Sequence, residues 1–253
     1  MQQKQVNMKK NVLLCLGALL LTVGICSCSS DNEAADVFDE SIPEEALNQT
    51  TTEFTGDEWF SANLHLWTQG YIQEGNLKVI RNALGAIESI DFTETPIEER
   101  PKTAADFYNR YYGEGVAECF KCIRHLEDRH VENEISVHDY YQQYYKDVIV
   151  KTEPQLIAFL NGQMVCGDCD YLPLKDFDVT PMFSKRGAIE IFKSFMKLEN
   201  YNENNCELQI VRVPEGDSFG PRLVYEVRKG LDGLVIDARS GRALYKTSYD
   251  YGM

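Results

Sequence analysis

The sequence predicts an α+β protein made of two successive units, each a helix packed on an antiparallel sheet. Three observations predict it. Two segments with helical character, near residues 103–112 and 184–200, each lead into a run of strand-like segments. Asn161-Gly162, set between QLIAFL and QMVCGDC, marks a two-residue hairpin. A break at Val179-Thr180-Pro181 separates the two blocks and divides the folded chain into residues 58–178 and 179–253.

The chain starts with a targeting segment. Lys9 and Lys10 precede NVLLCLGALLLTVGI, a stretch short for a membrane span, and then CSCSS. Ile25-Cys26-Ser27-Cys28 resembles the bacterial lipobox, which has an aliphatic residue three before the cysteine and a small one just before it. Residues 1–27 then form the signal peptide and Cys28 becomes the lipidated first residue. Ser29-Ser30-Asp31-Asn32-Glu33 resembles the acidic export signal of Bacteroidetes lipoproteins, which implies an outer-membrane, cell-surface location. An ordinary signal peptide or an uncleaved anchor is the alternative.

Charge sets the next bound. The chain carries −15 overall, and Asp31 to Leu77 contains no Lys or Arg. A basic surface for phosphate is missing, so no nucleic-acid partner is expected. Residues 28–57 hold many acids and few large apolar side chains, and read as a flexible tether. Contact with the membrane is expected through the lipid only. Residues 58–100 are richer in apolar residues but show no clean period, so neither helix nor strand is assigned there.

The first helix is expected over AADFYNRYY, with Thr103 as N-cap, Phe107 and Tyr111 on one face, and Gly113 and Gly115 ending it. Two strands follow in CFKCIRHLEDRHVENEISVHDYYQQYYKDVIV, joined around Glu132-Asn133-Glu134. In the second, His138, Tyr140, Gln142 and Tyr144 fall on one face, and Asp139, Tyr141, Gln143 and Tyr145 on the other. Tyrosines are good contact residues. Tyr140, Tyr141, Gln142, Gln143, Tyr144 and Tyr145 are therefore binding-surface candidates, with packing against the helix the competing role. In the second unit Ser184 caps a helix with Ala188, Ile191, Phe192 and Phe195 on one stripe. CELQIVRV, RLVYEVRKG and GLVIDARSGRALYKT then read as three strands.

These segments resemble a known family. HDYYQQYYKDVIV with the hairpin ending Gly162-Gln163-Met164-Val165 looks like the FTP motif of fungalysin and thermolysin propeptides. SKRGAIEIFKSF, PRLVYEVRKG and LVIDARSGRALY look like the PepSY domain that follows it. Together the two cover about residues 102–250. The resemblance implies a sheet that folds and inhibits a metalloprotease. Two departures stand out: Lys146-Asp147-Val148-Ile149-Val150 lacks the usual glycine and proline, and the sequence stops at Met253, where the protease would begin. No HExxH occurs, and the histidines are His65, His125, His130 and His138 alone. The expectation is a non-enzymatic protein that binds, inhibits or chaperones a secreted metalloprotease or peptide in trans.

The cysteines offer an alternative. Cys119-x-x-Cys122 and Cys166-x-x-Cys169 form a paired CxxC pattern. In an exported chain disulfides compete with metal, and bridges between the two pairs are reasonable if their strand ends are neighbours. Disulfides, bound zinc and redox-active thiols all remain open, and the last two define a metal- or redox-linked envelope protein. No other cofactor is expected. Cys206 reads as a small buried hydrophobe.

Overall fold

The computed structural model describes residues 42–55, 71–81, 87–129, 134–168, 170–201, 205–215 and 218–248. The proposed signal peptide, Cys28, Cys169, His65 and His130 lie outside these. The helices are α1 (Glu44–Leu47), α2 (Ala104–Tyr112) and α3 (Lys185–Met196). The strands are β1 (Ile72–Glu74), β2 (Leu77–Arg81), β3 (Ile87–Asp91), β4 (Phe120–Arg129), β5 (Ile135–Tyr145), β6 (Val148–Val150), β7 (Gln155–Leu160), β8 (Gln163–Asp168), β9 (Cys206–Glu215), β10 (Ser218–Lys229), β11 (Asp232–Asp237) and β12 (Ala243–Ser248).

Strands dominate, and they join into one sheet rather than two. Its order is β1-β2-β3-β8-β7-β5-β6-β9-β10-β11-β12, with β4 on β5. Neighbours are antiparallel except β6 and β9, which pair in parallel at Ile149–Gln209 and Val150–Ile210. This parallel step fuses the two predicted helix-and-sheet units.

Each helix forms for local reasons and then buries one face. Thr103 accepts from the Asp106 amide while the Asp106 carboxylate accepts from the Thr103 amide, a full capping box. α2 then buries Phe107 and Tyr108 among Val79, Ile90, Phe92, Ile157 and Met164. Ser184 caps α3 by accepting from the Gly187 amide. The predicted stripe Ala188, Ile191, Phe192 and Phe195 is buried against Ile210, Leu223, Tyr225 and Ile236. Asn161 and Gly162 both have positive φ, 50° and 76°, as a type I′ hairpin turn requires.

Three expectations are corrected, and one unassigned segment is filled. The flexible tether does not extend through residues 42–55. Ile42 and Ala46 are buried in the α3 core, Gln49 bonds the Gly241 carbonyl and the Ala243 amide, and Glu53 and Phe54 donate amides to the carbonyls of Ala243 and Leu244. The segment has few apolar residues, but these are the ones that pack. The aromatic strand ends at Tyr145, where Lys146 and Asp147 turn at φ 47° and 64° into β6. The last predicted strand is a hairpin, β11–β12. Asp237 breaks it by accepting the amides of Arg239 and Ser240. Residues 72–81 and 87–91, left unassigned above, supply β1, β2 and β3, of which β2 and β3 bring Val79 and Ile90 to the α2 core.

Candidate functional site

Among the described strands β4 carries the longest run of exposed residues. Phe120 anchors it, stacked on Tyr108 with ring centroids 4.0 Å apart. From Lys121 to Arg129 every residue is exposed, including Ile123 and Leu126. β4 pairs with β5 and with no other strand among the described residues. One row of its backbone N–H and C=O groups therefore faces outward, the arrangement that templates a further strand.

Register fixes what flanks this edge. Lys121 lies opposite Gln142, Cys122 opposite Tyr141, and Arg124 opposite Tyr140, so Ile123 is the extra residue of a bulge. Arg124 to Arg129 then runs unbroken against Tyr140 to Ile135. Opposite residues share a sheet face. Arg124, Leu126, His138 and Tyr140 fall on the face away from α2. There the Arg124 guanidinium sits 5.7 Å from the Tyr140 ring and the Lys121 ammonium 4.4 Å from the Tyr144 ring. On the α2 face His125 Nδ1 meets Asp139 Oδ1 at 2.5 Å.

The six candidates of the aromatic strand divide by these contacts. Tyr140 and Tyr144 are half-buried and carry the cations. Tyr141 packs edge-on against Tyr108 at 5.7 Å, and burial, then Asp139 and Cys122, push its hydroxyl up to about 12. Tyr145 packs against the α3 core. Gln142 and Gln143 are buried and are not contact residues. Gln142 donates to the Val150 carbonyl at 2.5 Å, and Gln143 bonds both backbone groups of Leu172. They are buried because the loop after β8 and the end of β6 bring backbone groups to them. Gln155 Oε1 accepts the Asp170 amide and the Arg212 guanidinium pairs with the Asp170 carboxylate, so the loop is held from β5, β7 and β9.

The expectation of bridges is corrected for the described cysteines, and Cys169 lies outside them. Cys119, Cys122, Cys166 and Cys206 are free thiols. β5 and β7 lie between the strands of Cys122 and Cys166. Three inter-strand steps of about 4.8 Å separate them by about 14 Å, beyond the roughly 7 Å limit for a bridge. Cys122 also shares a face with Tyr141, and Cys166 the opposite one with Ala158. Among the described residues no three metal-binding side chains cluster. Burial, then Asp168, pushes the Cys166 thiol up to about 12, and burial, then Glu118, raises Cys119. Neither favours the thiolate that metal binding or redox attack needs.

One polar cluster escapes sequence reasoning. Ser89 donates to Asp168 Oδ1 at 2.7 Å, Tyr71 lies 3.2 Å from Ser89 Oγ, and the Cys166 thiol donates to Asp168 at 3.7 Å. Burial raises the Asp168 carboxyl. No histidine among the described residues joins these contacts, which give Ser89 a carboxyl partner. Only the β3–β8 pairing of Ser89 with Asp168, 79 positions apart, assembles it, and no local motif announces it.

No family model matches the chain, and no curated protein matches it. Among solved structures it is similar to the Bacillus megaterium YpeB C-terminal domain. Identity is 12%, over 68% of this chain and 75% of that one, with a TM-score of 0.29.

Proposed function

We propose that this chain is a non-enzymatic binding protein of the cell envelope, propeptide-like in build, that holds a secreted protease or an extended peptide in trans. In this reading Cys28 carries the lipid, the outer membrane is the anchor, and the body faces the cell surface. The observation that carries the binding role is the nine-residue exposed run of β4, Lys121 to Arg129, whose outer edge no strand among the described residues pairs. An extended partner adds to such an edge through main-chain hydrogen bonds, and side chains on alternate faces select it. Ile123 and Leu126 supply apolar contact, and Arg124 and Lys121 supply charge over Tyr140 and Tyr144. The resemblance of residues 102–250 to the FTP and PepSY segments of metalloprotease propeptides supports the class of partner.

The test is inhibition. Proteolytic activity of the organism's own secreted fraction is titrated with the purified protein. A stoichiometric fall, abolished by Ile123→Lys with Leu126→Lys, supports the reading. Activity unchanged at excess protein removes the protease version.

A further inference from the structure

We propose that the open edge of β4 is closed by a second copy of this chain, β4 against β4, antiparallel about a two-fold axis through Leu126. The argument rests on the order of charges along the strand.

Arg124-His125-Leu126-Glu127-Asp128-Arg129 is the unbroken part of β4, with the bulge at Ile123 lying before it. A two-fold antiparallel pairing sets Leu126 opposite Leu126 of the second copy. Arg124 then falls opposite Asp128 of the second copy and His125 opposite its Glu127, and symmetry repeats both pairs. Five consecutive positions are thus matched, one apolar pair flanked by four pairs of a basic with an acidic residue. Moving the axis one residue to either side destroys the match. It sets His125 or Glu127 opposite itself and places Leu126 opposite Arg124 or Asp128.

The faces agree as well. Arg124, Leu126 and Asp128 share one face of the strand, and His125 and Glu127 share the other. The groups are accessible, with His125 59% and Glu127 43% exposed in their side chains. Edge strands that stay single are blunted by charged side chains, bulges, short length or proline, and charges that match their own copy lose that effect. β4 has ten residues, no proline and mixed signs. Its bulge leaves the self-matching stretch intact. This pairing occupies the edge proposed above for a partner in trans, so the second copy competes with that partner. The dimer stands on the register alone and survives if that functional reading fails.

The test is a site-specific cross-link in the full chain, expressed in membranes with Cys122→Ser as background. A residue on the axis meets its own copy, so Leu126→Cys gives a dimer under mild oxidation or with a short bis-maleimide, and Ile123→Cys does not. Adding Asp128→Arg to Leu126→Cys lowers the dimer yield about tenfold, because Arg124 then faces a cation. Adding Arg124→Asp as well restores it. Circular dichroism of each variant checks that the fold persists. A folded Leu126→Cys protein that stays monomeric, or that cross-links to a different protein, overturns the proposal. So does a dimer yield that ignores the charge swap.

Discussion

Gln143 holds both backbone groups of Leu172, its Nε2 donating to the carbonyl at 2.7 Å and its Oε1 accepting the amide at 3.0 Å. Both groups are buried, so the glutamine substitutes for a strand the loop does not have. Gln143→Leu leaves two backbone groups without partners, a loss of about 2–4 kcal/mol. Urea unfolding reads this directly. A change below about 0.5 kcal/mol would show that the loop finds other partners.

Gly167 lies beneath the Phe107 ring. A Cβ there would stand 2.5 Å from Phe107 Cε2. Gly167→Ala therefore pushes α2 off the sheet and costs about 1–3 kcal/mol. Phe107→Leu added to it recovers part of that loss, giving a negative coupling in a double-mutant cycle. Strict additivity would mean the ring moves aside freely.

Buried Asp237 and half-buried Asp168 drive stability in opposite directions with pH. Burial raises the Asp237 carboxyl, but the amides of Ser240 and Arg239 and the Arg222 guanidinium outweigh it and hold it below its ordinary value. A depressed folded pKa contributes stability above the ordinary value of about 4, and that contribution is lost as pH falls through the folded value. Asp168 is raised by burial, so protonation on the acid side relieves it and contributes stability there. Asp237→Asn keeps an oxygen for the two amides but turns an NH2 toward Arg222. It is predicted to destabilise at neutral pH by about 1–3 kcal/mol and to flatten the acid limb. Asp168→Asn is predicted to steepen that limb. Unfolding free energies between about pH 3 and 7 decide both signs.

The thiols are predicted to react in order of exposure. Cys122 is exposed and labels with a maleimide in the native protein at neutral pH. Cys119 follows slowly. Cys166, half-buried and with its thiol pushed up to about 12 mainly by burial, is slower still, and buried Cys206, pushed up to about 11, labels only after unfolding. Peptide mapping reads each site. A native Cys122 blocked until reduction would restore the disulfide reading.

What the sequence made legible is what local chemistry decides. Thr103 and Asp106 cap one helix and Ser184 the other, and Asn161-Gly162 sets one turn. None of these needs a distant partner. Two local turns, at Lys146-Asp147 and after Asp237, read as continuous strand in the sequence; the other misreadings come from distant partners. Period two correctly places Gln142 and Gln143 on opposite faces, but it cannot show that Val150 and Leu172 bring backbone groups to both. The acidic segment at 42–55 has too few apolar residues to predict burial, yet Ile42, Ala46 and Phe54 find the α3 core and the opposite sheet face. The two CxxC pairs are alike in sequence, and the intervening β5 and β7 keep Cys122 and Cys166 three strands apart. The open edge of β4 follows from strand order, which composition does not encode.

The measurement that tests the central claim most directly is capture with the edge intact and blocked. The full chain, and its Ile123→Lys, Leu126→Lys variant, are used to capture proteins from the organism's own secreted and envelope fractions, and the eluates are quantified by mass spectrometry. The account predicts one protease or peptide near stoichiometric amount on the wild type and its loss on the variant, with both proteins equally folded. An eluate without such a partner, or one that is indifferent to the blocked edge, would contradict it.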